Sequence, residues 1–161
     1  MEKKVTILGA GGHAKVLIST LRANGHVVDA VYDDDERLQG TSILGVEVVG
    51  AISDLSKDFA GQAAIGIGSN DIRRQIAERF EHADWICCVH PRACVDSDAV
   101  IGVGTVVCAG AVVQPGAVLG RHVIINTGAT VDHDCMVGDF AHVAPGAHLA
   151  GHVSLDEGVF M

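Results

Sequence analysis

From Ala93 to the last residue an aliphatic side chain returns at every sixth position without a break: Val95, Ile101, Val107, Val113, Leu119, Ile125, Val131, Val137, Val143, Leu149, Leu155 and, closing the series, Met161. Two residues before each stands a small or β-branched one, as at Ala93, Thr105, Ala111, Ala129 and Cys135. A half-buried strand alternates with a period of about 2 and a helix with about 3.6, and neither period generates a strict six. A hexapeptide repeat is what a parallel β-helix requires. Each hexad forms one side of a prism, its aliphatic residue points into the core, and three hexads close one coil.

Composition agrees with a core of small and branched side chains. Hydrophobic residues make up 48% of the chain but aromatic ones only 4%, and 20 of the 161 residues are glycine. Eleven Lys and Arg stand against 20 Asp and Glu, a net charge of −9 that opposes binding to nucleic acid or an anionic membrane. A phosphate ligand must therefore be held locally, by backbone N–H groups or a few basic residues. The opening "MEKKVTILGAGG" is too short and too Gly-rich in its apolar part for a signal peptide or membrane span, so the chain is read as cytoplasmic. Five cysteines, Cys87, Cys88, Cys94, Cys108 and Cys135, contain no C-x-x-C pair and indicate neither a disulfide framework nor a Cys-rich zinc site.

The first 90 residues follow a different rule, alternating strand and helix patterns. "KKVTILG" (3–9), "VVDAVYDDD" (27–35) and "AAIGIGS" (63–69) read as strands. "GHAKVLISTLRANG" (12–25) and "NDIRRQIAERF" (70–80) read as helices, the second capped by Asn70 or Asp71, with Arg73 and Arg74 as solvated charges. The order implies a parallel, Rossmann-like α/β sheet. The boundary is placed near "CCVHPRACV" (87–95), giving domains 1–90 and 91–161. "GAGGHA" (9–14) fits a G-x-G-x-x-A turn between strand and helix. Such a turn suits a phosphate at a helix N-terminus, or NAD with Asp33 on a ribose, or nothing more than tight packing.

The motifs "GAGGHAK", "DDD" and "GIGSNDIRR", followed by hexads carrying "NTGATVDHD" and "AHVAPGAHLAGHV", run in this order along the whole chain. Together they resemble the sialic acid O-acetyltransferase and UDP-4-amino-sugar N-acetyltransferase family of hexapeptide-repeat sugar acyltransferases. The resemblance implies a Rossmann-like nucleotide-sugar-binding domain followed by a left-handed β-helix, assembled as a homotrimer. It implies acetyl transfer from acetyl-CoA as co-substrate, with no metal. The repeat stops at Met161 on a core position, so the β-helix is expected to lack its last coils.

"DHD" (132–134) concentrates the chemistry. An exposed loop histidine is the plain reading. The flanking acids favour a functional one, because an acceptor amine or hydroxyl must lose a proton as it attacks a thioester and a neutral imidazole takes one near pH 7. By resemblance His133 is the general base and Asp134 its orienting partner, with Asp132 the alternative and Asn126 in support. Gly151 lies one coil from His133, and its missing side chain would leave space for a thioester. The resemblance assigns its backbone, with His142, to acetyl-CoA, and joins His133 of one chain to His142 and Gly151 of the next. Gly11, Gly12 and His13 would meet the diphosphate of a nucleotide-sugar, and Asp33, Asp34 and Gly68 would line the rest. An acetyl-enzyme on Cys135 is the mechanistic rival, opposed by its expected place in the packed wall.

The expected reaction is N-acetylation of a UDP-linked 4-amino-4,6-dideoxy sugar, since "GAGGHAK" and "DDD" imply a nucleotide-sugar pocket. Sialic acid O-acetylation is the alternative. Two readings from other classes are a γ-type carbonic anhydrase with zinc on His133, His142, His148 or His152, and a non-catalytic nucleotide-sugar or NAD sensor.

Overall fold

The structure, a computed structural model, describes residues 4–161, so Lys3 of the expected first strand lies outside the described residues. The chain divides into two compact units, Met1–Ile86 and Cys87–Met161.

The first unit is built on β1 (Lys4–Leu8), whose Val5, Ile7 and Leu8 are fully buried. Burial of consecutive residues on both faces is what a central parallel strand between helices requires. Helix α1 (Gly12–Ala23) packs through Ala14, Leu17, Ile18 and Leu21, one stripe at helical spacing. The other elements are β2 (Val27–Tyr32), β3 (Ser42–Ile43), β4 (Val46–Gly50), β5 (Gln62–Ile65), α2 (Asn70–Arg79) and β6 (Asp84–Trp85). The sheet order is β3-β4-β2-β1-β5-β6, parallel except for the β3–β4 hairpin. Leu44 and Gly45 turn that hairpin, both with positive φ, at 47° and 77°.

Strand β5 ends four residues earlier than the expected Ser69. A Cβ at Gly66 would lie 2.8 Å from both Ala14 Cβ and the Gly9 carbonyl oxygen, so the chain bends away where α1 and the 9–10 turn press closest. Ser69, not Asn70 or Asp71, caps α2, without a side-chain bond. Arg73 is not solvated; it is 1% exposed.

The second unit is a left-handed parallel β-helix of three four-stranded sheets. The first stacks Cys88–Val89, Val106–Val107, Ile124–Ile125 and His142–Val143. The second stacks Cys94–Val95, Val112–Val113, Thr130–Val131 and His148–Leu149, and the third Val100–Ile101, Val118–Leu119, Met136–Val137 and Ser154–Leu155. Partners such as Val107↔Ile125 stand one coil apart. The hexad residues from Val107 to Leu149 are at most 3% exposed, with Ala111, Ala117, Ala129 and Cys135 buried beside them. Cys88–Val89, upstream of Pro91, pairs with Val106–Val107, and His90 only turns the chain, accepting bonds from the Arg92 and Ala93 N–H groups.

From Gly104 to Gly158 the corners of the prism take a left-handed backbone, φ > 0, which disfavours residues with a Cβ. Between the first and second sheets stand Gly110, Gly128 and Gly146. Between the third and first stand Gly104, His122, Phe140 and Gly158, the His122 and Phe140 rings stacked at 5.3 Å. Between the second and third stand Gly116, Asp134 and His152.

Candidate active site

The corner of Gly116, Asp134 and His152 carries the acid–base group. Asp134, at φ 57°, donates its N–H to the Pro115 carbonyl at 3.2 Å, which fixes its backbone to the coil before. Its carboxylate needs the room that Gly116 leaves, because a Cβ there would lie 2.6 Å from Oδ1. The other oxygen, Oδ2, is 2.8 Å from His133 Nδ1. A carboxylate only accepts, so the His133 proton sits on Nδ1 and the Nε2 lone pair is left to act as a base. The bond to Asp134 raises the pKa of His133, and the same bond holds the Asp134 carboxyl below the ordinary carboxylate value. Asp132 is placed otherwise, its Oδ1 accepting the His133 backbone N–H at 2.9 Å.

Gly151 lies directly against this ring. A Cβ there would lie 2.5 Å from His133 Nε2 and 2.6 Å from Cε1, so the absence of a side chain is what lets the imidazole lie against this backbone. Within one chain Gly151 thus adjoins His133. Cys135 is fully buried, its thiol donating to the Ala150 carbonyl at 3.1 Å, so it faces the wall of the prism.

His142 lies on the first sheet, between the inward-facing Ala141 and Val143. It is 7% exposed, with the Phe160 ring edge-on at 4.7 Å. Asn126 Oδ1 accepts the Thr127 N–H at 2.8 Å, which turns its Nδ2 toward His142 Nε2 at 3.0 Å. In a triangular prism the corner between the second and third sheets is opposite the first sheet. His133 and His142 therefore lie on opposite sides of one chain. The four histidines of the carbonic anhydrase reading scatter likewise: His148 bonds Thr130 Oγ1 at 2.9 Å on the second sheet, and only His133 and His152 come together, with Asp134.

In the first unit Asp33 and Asp34 line a cavity of about 330 Å³ with Ile67, Ile72, Gln75 and Arg79. Both acids also brace the backbone. Asp33 accepts the Ala10 N–H at 2.6 Å and the Asp35 N–H at 2.9 Å, and Asp34 accepts the Ser53 N–H at 3.0 Å. Gly11 and Gly12 stand at the exposed start of α1, where a Cβ would meet nothing within 4 Å, and His13 is half-buried in the first turn. Gly68 is held from below by Arg73, whose Nη1 donates to its carbonyl at 3.1 Å and to that of Ile67 at 3.3 Å. Burial lowers the Arg73 pKa to about 10, which leaves it a cation at neutral pH. Sequence reasoning missed Gly116 and Arg73. The first was visible as the residue one coil before Asp134 in the corner column; nothing in the helical pattern marked the second.

A family model described as the PglD N-terminal domain matches residues 4–80. The acetyltransferase domain of PglB from Neisseria gonorrhoeae, solved with acetyl coenzyme A, is similar with a TM-score of 0.81 at 34% identity, over 99% of this chain and 88% of that one. PerB from Caulobacter crescentus, solved with CoA and GDP-perosamine, is similar with a TM-score of 0.88 at 38% identity, over 98% of this chain and 76% of that one. The chain belongs to the hexapeptide-repeat sugar acyltransferases. Among other members, a UDP-N-acetylbacillosamine N-acetyltransferase of Bacillus subtilis is 39% identical over 109 residues, 65% of this chain and 50% of that protein. The chain spans 20%, 73% and 50% of the lengths of curated relatives that it matches. Among the described residues no helix is long and apolar enough to cross a membrane.

Proposed function

We propose that this acyltransferase moves an acetyl group from acetyl-CoA to the amine of a nucleotide-linked amino sugar, a UDP-linked 4-amino-4,6-dideoxy sugar being the expected acceptor. The observation that carries the reading is the His133 Nδ1–Asp134 Oδ2 bond of 2.8 Å on an exposed corner, which leaves Nε2 as acceptor. The amine attacks the thioester carbonyl, and Nε2 takes the proton that the nitrogen loses as the C–N bond forms. The C–S bond breaks, CoA leaves as thiolate, and the imidazolium or water returns the proton to it. Asp134 holds the tautomer and stabilises the imidazolium. Family likeness assigns Gly11, Gly12, His13, Asp33, Asp34 and Gly68 to the nucleotide-sugar, and His142 with the Gly151 backbone to acetyl-CoA.

The opposed positions of His133 and His142 support the homotrimer that family likeness implies. If both serve one reaction, the site joins the corner of one chain to the first sheet of its neighbour, and closed cyclic symmetry repeats that contact. The five free cysteines fit a reducing cytoplasm. The test follows free thiol release from acetyl-CoA with UDP- and GDP-linked 4-amino sugars, with sialic acid, and with no acceptor. Turnover confined to the amino-sugar nucleotides supports the reading; turnover only on sialic acid selects O-acetylation, and none on any acceptor rejects it.

A further inference from the structure

A second imidazole stands beside Asp134 that the reaction as written does not use. His152 lies one coil beyond Asp134 on the same corner, in the same left-handed conformation at φ 61°. It meets the base in three ways. Its backbone N–H donates to the His133 carbonyl at 3.0 Å, and its ring stands edge-on to the His133 ring, centroids 5.0 Å apart. Its Nε2 lies 3.8 Å from Asp134 Oδ2, the same oxygen that accepts from His133 Nδ1. The His133 side chain is 52% exposed; the Gly151 backbone lies against the ring but brings no side chain, whereas the His152 ring packs against it edge-on beside the carboxylate.

We propose that His152 is a positioning residue for the base, holding the His133 ring in its bond to Asp134 and sharing that carboxylate with it. The proposal rests on His133 being the base. Packing keeps Nε2 aimed in one direction, which matters because a misplaced base loses rate rather than binding. Charge adds a second effect. The titratable groups facing the pair are His133, His152, Asp132 and Asp134; the neighbouring coils contribute Pro115, Gly116 and Gly151, all uncharged. A charge on His152 would attract Oδ2 and oppose a proton on His133, whose ring centroid is 5.0 Å away. Asp134 itself is held low by its bond to His133 first and by the charge of His152 after that.

Two substitutions separate packing from charge, and the fold already tolerates both residues in this backbone conformation. Gly116 occupies the same corner at φ 72°, and Phe140 another corner at φ 59°. His152→Gly removes ring and charge, whereas His152→Phe keeps an edge-on ring without a proton. NMR titration of the His133 imidazole is measured beside kcat and KM. In both variants His133 should titrate about half a pH unit higher, the size expected for a charge some 5 Å away near water. His152→Gly should lose kcat by roughly 3- to 10-fold with both KM values unchanged, and His152→Phe should recover most of that loss above neutral pH. Unchanged titration in both variants with wild-type kcat in His152→Gly overturns the proposal, and so does a loss confined to KM. Because the titration needs no turnover, shifted titration in a protein that transfers no acetyl group would reject the acetyltransferase reading while leaving the positioning role intact.

Discussion

Two corners of the same prism make the same backbone turn with opposite residues. Gly110, Gly128 and Gly146 occupy one; Gly116, Asp134 and His152 occupy the other. Glycine enters the left-handed region without steric cost, so the first corner is what folding alone selects. At the second corner two residues with a Cβ hold that conformation while exposed to solvent, where neither side chain contributes core packing. Exposed departures from glycine at positions that favour it point to a use for the side chains. His122 and Phe140, on the third corner, show the other outcome: they are 3% and 0% exposed and stacked, so packing accounts for them.

The largest expected effect falls on the base. His133→Ala should lose about 10²–10⁴-fold in kcat while retaining acetyl-CoA binding, measured by steady-state thiol release and direct titration of the ligand. Gly151→Ala comes next. The added Cβ would contact the His133 ring at 2.5 Å and must push it off Asp134, so kcat should fall by about 10- to 100-fold with thermal stability nearly unchanged.

Asp134→Asn should cost less than loss of the base and should also move the pH profile. The His133 pKa lies above its ordinary value of 6.5 because the Asp134 carboxylate bonds its protonated form. The base works only when neutral, so activity is lost as pH falls through that raised value. An amide cannot favour the imidazolium in the same way, so the acid limb should move to lower pH in the variant as its maximal rate drops. An acid limb that stays in place would separate Asp134 from the basicity of His133. The smallest effect belongs to the glycine corner: Gly128→Asn should leave kcat and both KM values within about twofold, since its Cβ would meet nothing within 4 Å and Asn tolerates left-handed backbone.

The β-helix was legible because its core repeats in sequence as it does in space: one aliphatic residue per side, coil after coil, leaves a mark that local propensity cannot blur. The central strand β1 and helix α1 were legible for the same reason, as periods of burial. The β3–β4 hairpin was not, since its turn is Leu44–Gly45 rather than Asn-Gly or Asp-Gly and its strands are short. Arg73 escaped because helical periodicity describes which side a residue faces, not whether loop carbonyls wait there to satisfy a buried guanidinium. "DHD" announced an acid–base pair, but which aspartate turns to the ring depends on corner geometry: Asp134 at positive φ meets Nδ1, and Asp132 bonds the backbone. Gly151 was found by counting one coil from His133, but coil counting gives height along the prism, and that the imidazole lies directly against this glycine depends on how the corner turns.

The central claim is that the base of one chain works with the first-sheet histidine of another, because one prism holds them on opposite sides. Its most direct test mixes chains carrying His133→Ala with chains carrying His142→Ala under conditions that let subunits exchange. Each variant alone should be strongly impaired. With equal mixing and one His133 and one His142 from adjacent chains at every site, about a quarter of the sites are intact, and that share of wild-type activity should return. A mixture no more active than its parents, or a His142→Ala protein that turns over at the wild-type rate by itself, would contradict a site shared between chains.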